Sequence, residues 1–265
     1  MNLYAAPIWI TGLLYLLFGQ QVRPFRLIGW MYLSLLISML LLSGKVYYLA
    51  PAYPMLFAAG AVAIEYLIWR INWHWLKPVF LGILILGSTT LIPVGIPVFS
   101  LDNMIRYFDL GSRYLGIGEA LRWETGQIHE LPQDYADMLG WEQMVTAVAK
   151  TYYSLPDSVR KVCAIYATNY GEAGAIDYYG KNYNLPKCIS KGGSFWSWGY
   201  RDYSEDWLIT VGTNRDAVLQ HYQVVEEGSP FNYPHARESG IPILIASQPK
   251  RSIFKIWQML KKYRW

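Results

Sequence analysis

The first hundred residues carry long apolar runs parted by short polar breaks, and the remainder carries short apolar runs parted by glycine, proline and charge. The long runs cover residues 3–18, 27–42, 55–69 and 76–98. A helix needs about 20 residues to cross a bilayer, so the first three reach across only with their flanks. Tyr4, Trp9, Trp30, Tyr32, Trp69, Trp73 and Trp75 stand there, and such rings suit the boundary between lipid and water. The pattern predicts about four transmembrane helices. A stack of core helices in a soluble protein is the alternative, and one acid, Glu65, in a hundred residues leaves it almost no solvated face.

The rest of the chain follows shorter periods. Residues 101–137 read as a connector, because Gly111, Gly116, Gly118 and Pro132 interrupt it, with a short helix at 117–124. Met138, Trp141, Val145, Val148 and Tyr152 fall at helical spacing over 138–154, and Pro156 stops that helix. Residues 161–168 read as a buried strand, followed by a helix at 173–179 closed by Gly180 and a short strand at 187–190. Further strands are expected at 207–211, 222–226 and 241–247, with Asn214 capping a helix at 215–220. Strands alternating with helices of this length predict an α/β layer fold with a largely parallel sheet. The expected organisation is a helical membrane region over 1–100, the connector over 101–137 and an α/β domain over 138–265. Residues 250–265 hold six Lys/Arg and no acid. Ile253, Ile256, Trp257 and Leu260 form a helical stripe there, which fits a helix lying on a membrane surface or an ordinary terminal helix docked on the sheet.

Charge sharpens the division. The 265 residues carry a net charge of +4. All of it belongs to the first hundred, where Arg23, Arg26, Lys45, Arg70 and Lys77 face Glu65 alone, so it does not indicate nucleic acid as a partner. Arg23 and Arg26 lie between the first two apolar runs, and Arg70, His74 and Lys77 between the last two. The positive-inside rule makes those loops cytoplasmic and places the Lys45 loop and everything after about residue 100 on the other side. Met1 is followed by neither a basic n-region nor a small-residue cleavage site, so the start resembles the middle of a larger membrane protein more than a signal peptide. Cys163 and Cys188 both fall in the second part, where a disulfide and two separate buried thiols are alternatives.

Candidate chemistry is sparse. The stretch from Gly44 to Pro54 sets one cation and three tyrosines at the mouth of an apolar run, shaped by Pro51 and Pro54. Lys45 there can meet a lipid phosphate as a point charge, or simply snorkel to the interface. No nucleophile elbow, zinc-protease motif or phosphate loop is present, and the four histidines are scattered, so no metal, cofactor or catalytic residue is assigned. The G-x-x-G at 171–174 suits a tight turn, an anion-holding turn, or a carbohydrate contact through Asn169, Glu172 or Asp177. Between Phe195 and Tyr203, Trp196 and Trp198 can stack on sugar with Arg201 and Asp202 adding polar contacts, or the rings can cover the sheet.

Two stretches carry a resemblance. The run GKVYYLAPAYPMLFAAGA at 44–61 resembles the late membrane segment of bacterial family 39 glycosyltransferases, relatives of protein O-mannosyltransferases. The run AIYATNYGEAGAID at 164–177 is similar to the extracytoplasmic C-terminal domain of one branch of that family. The resemblance implies a C-type glycosyltransferase fold that moves a sugar from a polyprenyl-phosphate carrier to an acceptor outside the membrane. It also implies that Lys45, Tyr47, Tyr48 and Tyr53 face the carrier phosphate. Family members place an acidic base in an early extracytoplasmic loop. The only acid in this membrane half is Glu65, within an apolar run, so the expectation is a C-terminal portion that lacks the base and works with a missing N-terminal half. A membrane-anchored module that binds glycan or protein without catalysis is the alternative.

Overall fold

A computed structural model of the chain describes residues 3–42, 44, 46–114, 116–201, 203–204, 206–252 and 257. The protein divides into two compact units, Met1–Ser100 and Leu101–Trp265.

In the first unit the apolar runs are helices: α1 (Ala6–Phe18), α2 (Arg26–Leu41), α3 (Tyr53–Ile71) and α4 (Leu76–Gly95). Among the described residues, three helical stretches are long and apolar enough to cross a membrane, namely Arg23–Leu41, Tyr48–Ile71 and Leu76–Gly95. The helix α1 is shorter, at 13 residues, and at 1.5 Å per residue it covers only about 20 Å. Most of the unit's large apolar side chains face outward, with Leu40 and Leu86 each 71% exposed. That distribution suits lipid, not water.

What the helices do bury is narrow. Helices α1 and α3 approach through glycines: a Cβ on Gly12 would overlap the Leu56 carbonyl oxygen, and one on Gly60 would overlap that of Ile8. Close backbone approach through small residues is how helices gain contact where lipid removes the hydrophobic drive. Beside this seam, Trp9, Tyr32 and Tyr53 pack with ring centres 5.7–6.3 Å apart, Tyr53 meeting both of the others edge to face. The Tyr32 hydroxyl donates to that of Tyr53 at 3.1 Å.

The second unit begins earlier than the sequence pattern suggests. Residues expected to form a connector open with α5 (Leu101–Tyr114), whose Met104, Phe108 and Gly111 are buried on one face. Gly111 reads as a helix breaker but serves packing here, because a Cβ would strike the Ile117 side chain. The chain continues through α6 (Gln133–Ala136), α7 (Trp141–Ser154) and α8 (Asp157–Arg160), then β1 (Ala164–Ala167), α9 (Tyr170–Tyr179) and β2 (Ile189–Ser190). It closes with β3 (Trp207–Val211), α10 (Arg215–Leu219), β4 (Tyr222–Glu227) and β5 (Ile243–Pro249).

The sheet has the order β2-β1-β3-β5-β4. Strand β1 pairs in parallel with both β2 and β3, whereas β5 runs antiparallel between β3 and β4. The expected largely parallel sheet is therefore corrected to a mixed one. Residues 228–242 form no helix that could carry the chain back over the sheet, so β5 enters reversed. One sheet face, with Ile165, Ala167, Ile209, Val211, Ile243 and Ile245, is buried with Met144, Val148, Ala173 and Ile176 of α7 and α9. The other buries Leu244 and Ala246 with Val218, Tyr222 and Val225. Cys163 and Cys188 are both buried as free thiols, so no bridge joins them. The expected amphipathic stripe at 253–260 lies outside the described residues except for Trp257.

Candidate functional site

The sheet's second face is covered only in part, and a cavity of about 280 Å³ opens there. Its position follows from topology. Thr168 follows β1, Lys191 follows β2 and Thr213 lies just beyond β3, so three neighbouring parallel strands deliver their C-terminal ends to it. From β1 the chain turns outward to β2, whereas from β3 it runs the other way to α10 and β4. A point where connections diverge in this way is where open α/β sheets leave a crevice for ligands.

The lining combines apolar walls with a few polar points. Ile189, Leu208 and Val218 supply walls, and Tyr166 and Trp257 supply rings. Trp257 is held by stacking on Trp196, with ring centres 4.4 Å apart and planes 7° from parallel. Burial, with smaller contributions from Cys188 and Glu172, pushes the Tyr166 phenol up to about 12, so it remains protonated at neutral pH. The His221 imidazole is held below its ordinary value by burial first and then by the charges of Arg251 and Lys250. Three polar atoms that belong to lining residues, Thr210 Oγ1, Thr213 Oγ1 and His221 Nδ1, are buried and find no hydrogen-bond partner among the described residues.

Behind the lining lies a buried carboxyl. Asn169 Oδ1 accepts from the Glu172 N–H at 2.8 Å, and the Glu172 carboxyl accepts from the Asn169 N–H at 3.1 Å. This reciprocal cap starts α9 at Tyr170, three residues before the expected helix. The same carboxyl accepts from the Thr168 hydroxyl at 2.8 Å, which ties the cap to the cavity wall. Burial raises the Glu172 carboxyl above its ordinary value, against the lowering effect of the hydrogen bonds from Thr168 and Asn169. Gly212 completes the arrangement at φ +78°, and a Cβ there would lie 2.5 Å from both the Glu172 carboxyl and the Thr168 hydroxyl. Gly212→Ala is expected to lower the stability of the second unit by about 2–3 kcal/mol, from left-handed strain plus this overlap. A thermal melt followed by near-ultraviolet circular dichroism checks it; an unchanged midpoint would remove the proposed tie.

The residues expected to carry chemistry are distributed as follows. Asn169 and Glu172 form the cap. Asp177 accepts from the Cys188 N–H at 2.7 Å and faces Lys187 at 3.6 Å and Arg201 at 3.7 Å, which pins the start of β2. Trp198 packs edge to face on Phe195 at 4.7 Å and lies under the Arg201 guanidinium. Trp196 does not line the cavity itself but stacks on Trp257, which does. Tyr53 belongs to the ring cluster of the first unit, and Tyr48 is 61% exposed. Lys45 and Asp202, and the side chain of Tyr47, lie outside the described residues.

The cavity's own residues escape a sequence reading because Thr168, Thr210, Thr213 and His221 are unremarkable singly. The available signal was Thr210, a buried hydroxyl within an otherwise apolar strand. No family model, characterised protein or solved structure matches the chain.

Proposed function

We propose that this chain is the C-terminal part of a family 39-like membrane glycosyltransferase, which transfers a sugar from a polyprenyl-phosphate carrier to an extracytoplasmic acceptor. One coincidence carries the reading. The segment resembling the family's extracytoplasmic domain, residues 164–177, is also the segment that walls the cavity, through Tyr166 and Thr168. On this reading α1 completes a fourth span with its flanks, the Arg23 and Arg70 loops are cytoplasmic, and the α/β unit lies outside. The acceptor hydroxyl or amine forms the new bond to the anomeric carbon, and polyprenyl phosphate leaves with the electron pair of the broken carbon–oxygen bond. The proton passes to a base supplied by residues beyond this chain. Glu65, the one acid before residue 101, is instead paired with Lys77 at 2.6 Å. Lys45, Tyr47, Tyr48 and Tyr53 bear on the carrier phosphate.

A second reading, a glycan-binding module without catalysis, is favoured by the lining itself. Among the described residues that form it, none is Asp or Glu, so none of these supplies a carboxylate base.

The test uses the full chain in nanodiscs, measuring binding of a polyprenyl-phosphate sugar and sugar transfer in one sample. Binding without transfer is expected. Neither binding nor transfer would leave the glycan-binding module as the better account. Transfer by the chain alone would overturn the external base and direct attention to Glu65 and Glu172.

A further inference from the structure

The cavity carries a charge signature that sugar binding alone does not require. Lys191 lines it, Lys250 and Arg251 act on its His221, and no described lining residue is acidic. Its unpartnered polar atoms are of matching kind. The Thr210 and Thr213 hydroxyls can donate to an oxyanion, and so can an imidazole N–H. Thr210 is 2% exposed and faces the cavity from the central strand. A buried polar atom without a partner opposes folding, so native proteins retain few. Three of them belong to residues around one cavity, which makes it the place in this unit where a bound oxyanion would satisfy the most polar groups. The walls add a second requirement, since Trp257, Tyr166 and Leu208 offer flat apolar surface for the C–H face of a ring. About 280 Å³ admits one small molecule and not a chain of sugars.

We propose that this cavity binds a single sugar bearing an acidic group, phosphate or carboxylate. Lys191 meets the anion, Thr210, Thr213 and His221 complete the oxygen contacts, and Trp257 covers the ring. The inference rests on the proposal above that this chain handles a sugar, and is independent of whether the chain transfers it. A lipid-linked sugar phosphate and a free one share this chemistry.

The experiment is isothermal titration of the full chain in nanodiscs of zwitterionic lipid. The probes are glucose 1-phosphate, glucuronate, methyl glucoside, inorganic phosphate and a polyprenyl-phosphate sugar. Both acidic sugars are expected to bind about tenfold more tightly than methyl glucoside, and less so as salt rises. Lys191→Met is expected to erase that preference. Thr210→Val is expected to weaken both acidic sugars roughly threefold to tenfold while raising the thermal midpoint, a pairing that a purely structural threonine would not give. Equal affinity for methyl glucoside would overturn the acidic group and leave a neutral-sugar site. Inorganic phosphate binding as tightly as glucose 1-phosphate would overturn the sugar. Binding of the lipid-linked sugar alone would assign the site to the carrier and overturn a free ligand. Binding that ignores both substitutions would place the ligand elsewhere, and no binding of any sugar would overturn this inference together with the reading beneath it.

Discussion

Gly60→Ala should destabilise the membrane unit by about 3 kcal/mol, although alanine is the better helix former by about 1 kcal/mol. The two effects oppose each other, and geometry decides. The added methyl would occupy the space of the Ile8 carbonyl oxygen, a backbone atom that no rotamer change can move. Helices α1 and α3 would have to part, and Gly12, whose own Cβ would overlap the Leu56 carbonyl, holds the same seam one turn along. Parting them also opens the Trp9–Tyr53 contact. Gly82 supplies the internal control, because nothing lies within 4 Å of where its Cβ would be. Gly82→Ala should leave the melt unchanged or raise it. Parallel melts in detergent measure both, and equal shifts for the two variants would refute the seam.

Glu172→Ala should be nearly as damaging to the second unit, at about 3 kcal/mol. It strands the Thr168 hydroxyl and the Asn169 N–H and removes an acid from the first turn of α9. Glu172→Gln is the informative partner. Its amide oxygen can accept the same two hydrogen bonds without a charge, so at neutral pH it should fall within about 1 kcal/mol of the parent. The pH dependence fixes the sign. The folded-state carboxyl titrates above its ordinary value of 4.5, so the folded form holds its proton longer than the unfolded chain does. That contribution is fully present below about 4.5 and is lost as pH rises through the raised folded value. Glu238, also raised by burial, acts in the same sense. The melting midpoint should therefore decline over the acid side of neutrality in the parent and decline less in Glu172→Gln. Identical profiles would show that another group is responsible.

Elements with a strong local signal were legible in the sequence. The bounds expected for β3 match those observed, because Trp207–Val211 is an apolar, β-branched run flanked by breaks. Asn214 caps α10 as expected, its side chain accepting from the Ala217 N–H at 2.8 Å. Elements decided by distant partners were not. The helix α5 was hidden by Gly111, whose reason for being glycine is Ile117. The reversal of β5 depends on pairing between strands, which leaves no mark in periodicity. The cavity was the least legible feature, since Thr168, Lys191 and Thr213 become neighbours only when β2, β1 and β3 lie side by side. A carboxylate such as Glu172 also looks alike in sequence whether it caps a helix or contacts a sugar.

The two thiols give the second unit a property of another kind. Burial pushes the Cys163 thiol up to about 12 and that of Cys188 well above its ordinary range, so neither is a nucleophile in the closed structure. Each becomes reactive only when its own stretch of backbone loosens. Cys163 lies at the entry to β1 and Cys188 at the entry to β2, the strand at the sheet's edge. Their alkylation rates under native conditions therefore act as two internal clocks, one timing the fraying of the sheet's margin and the other the strand beside it.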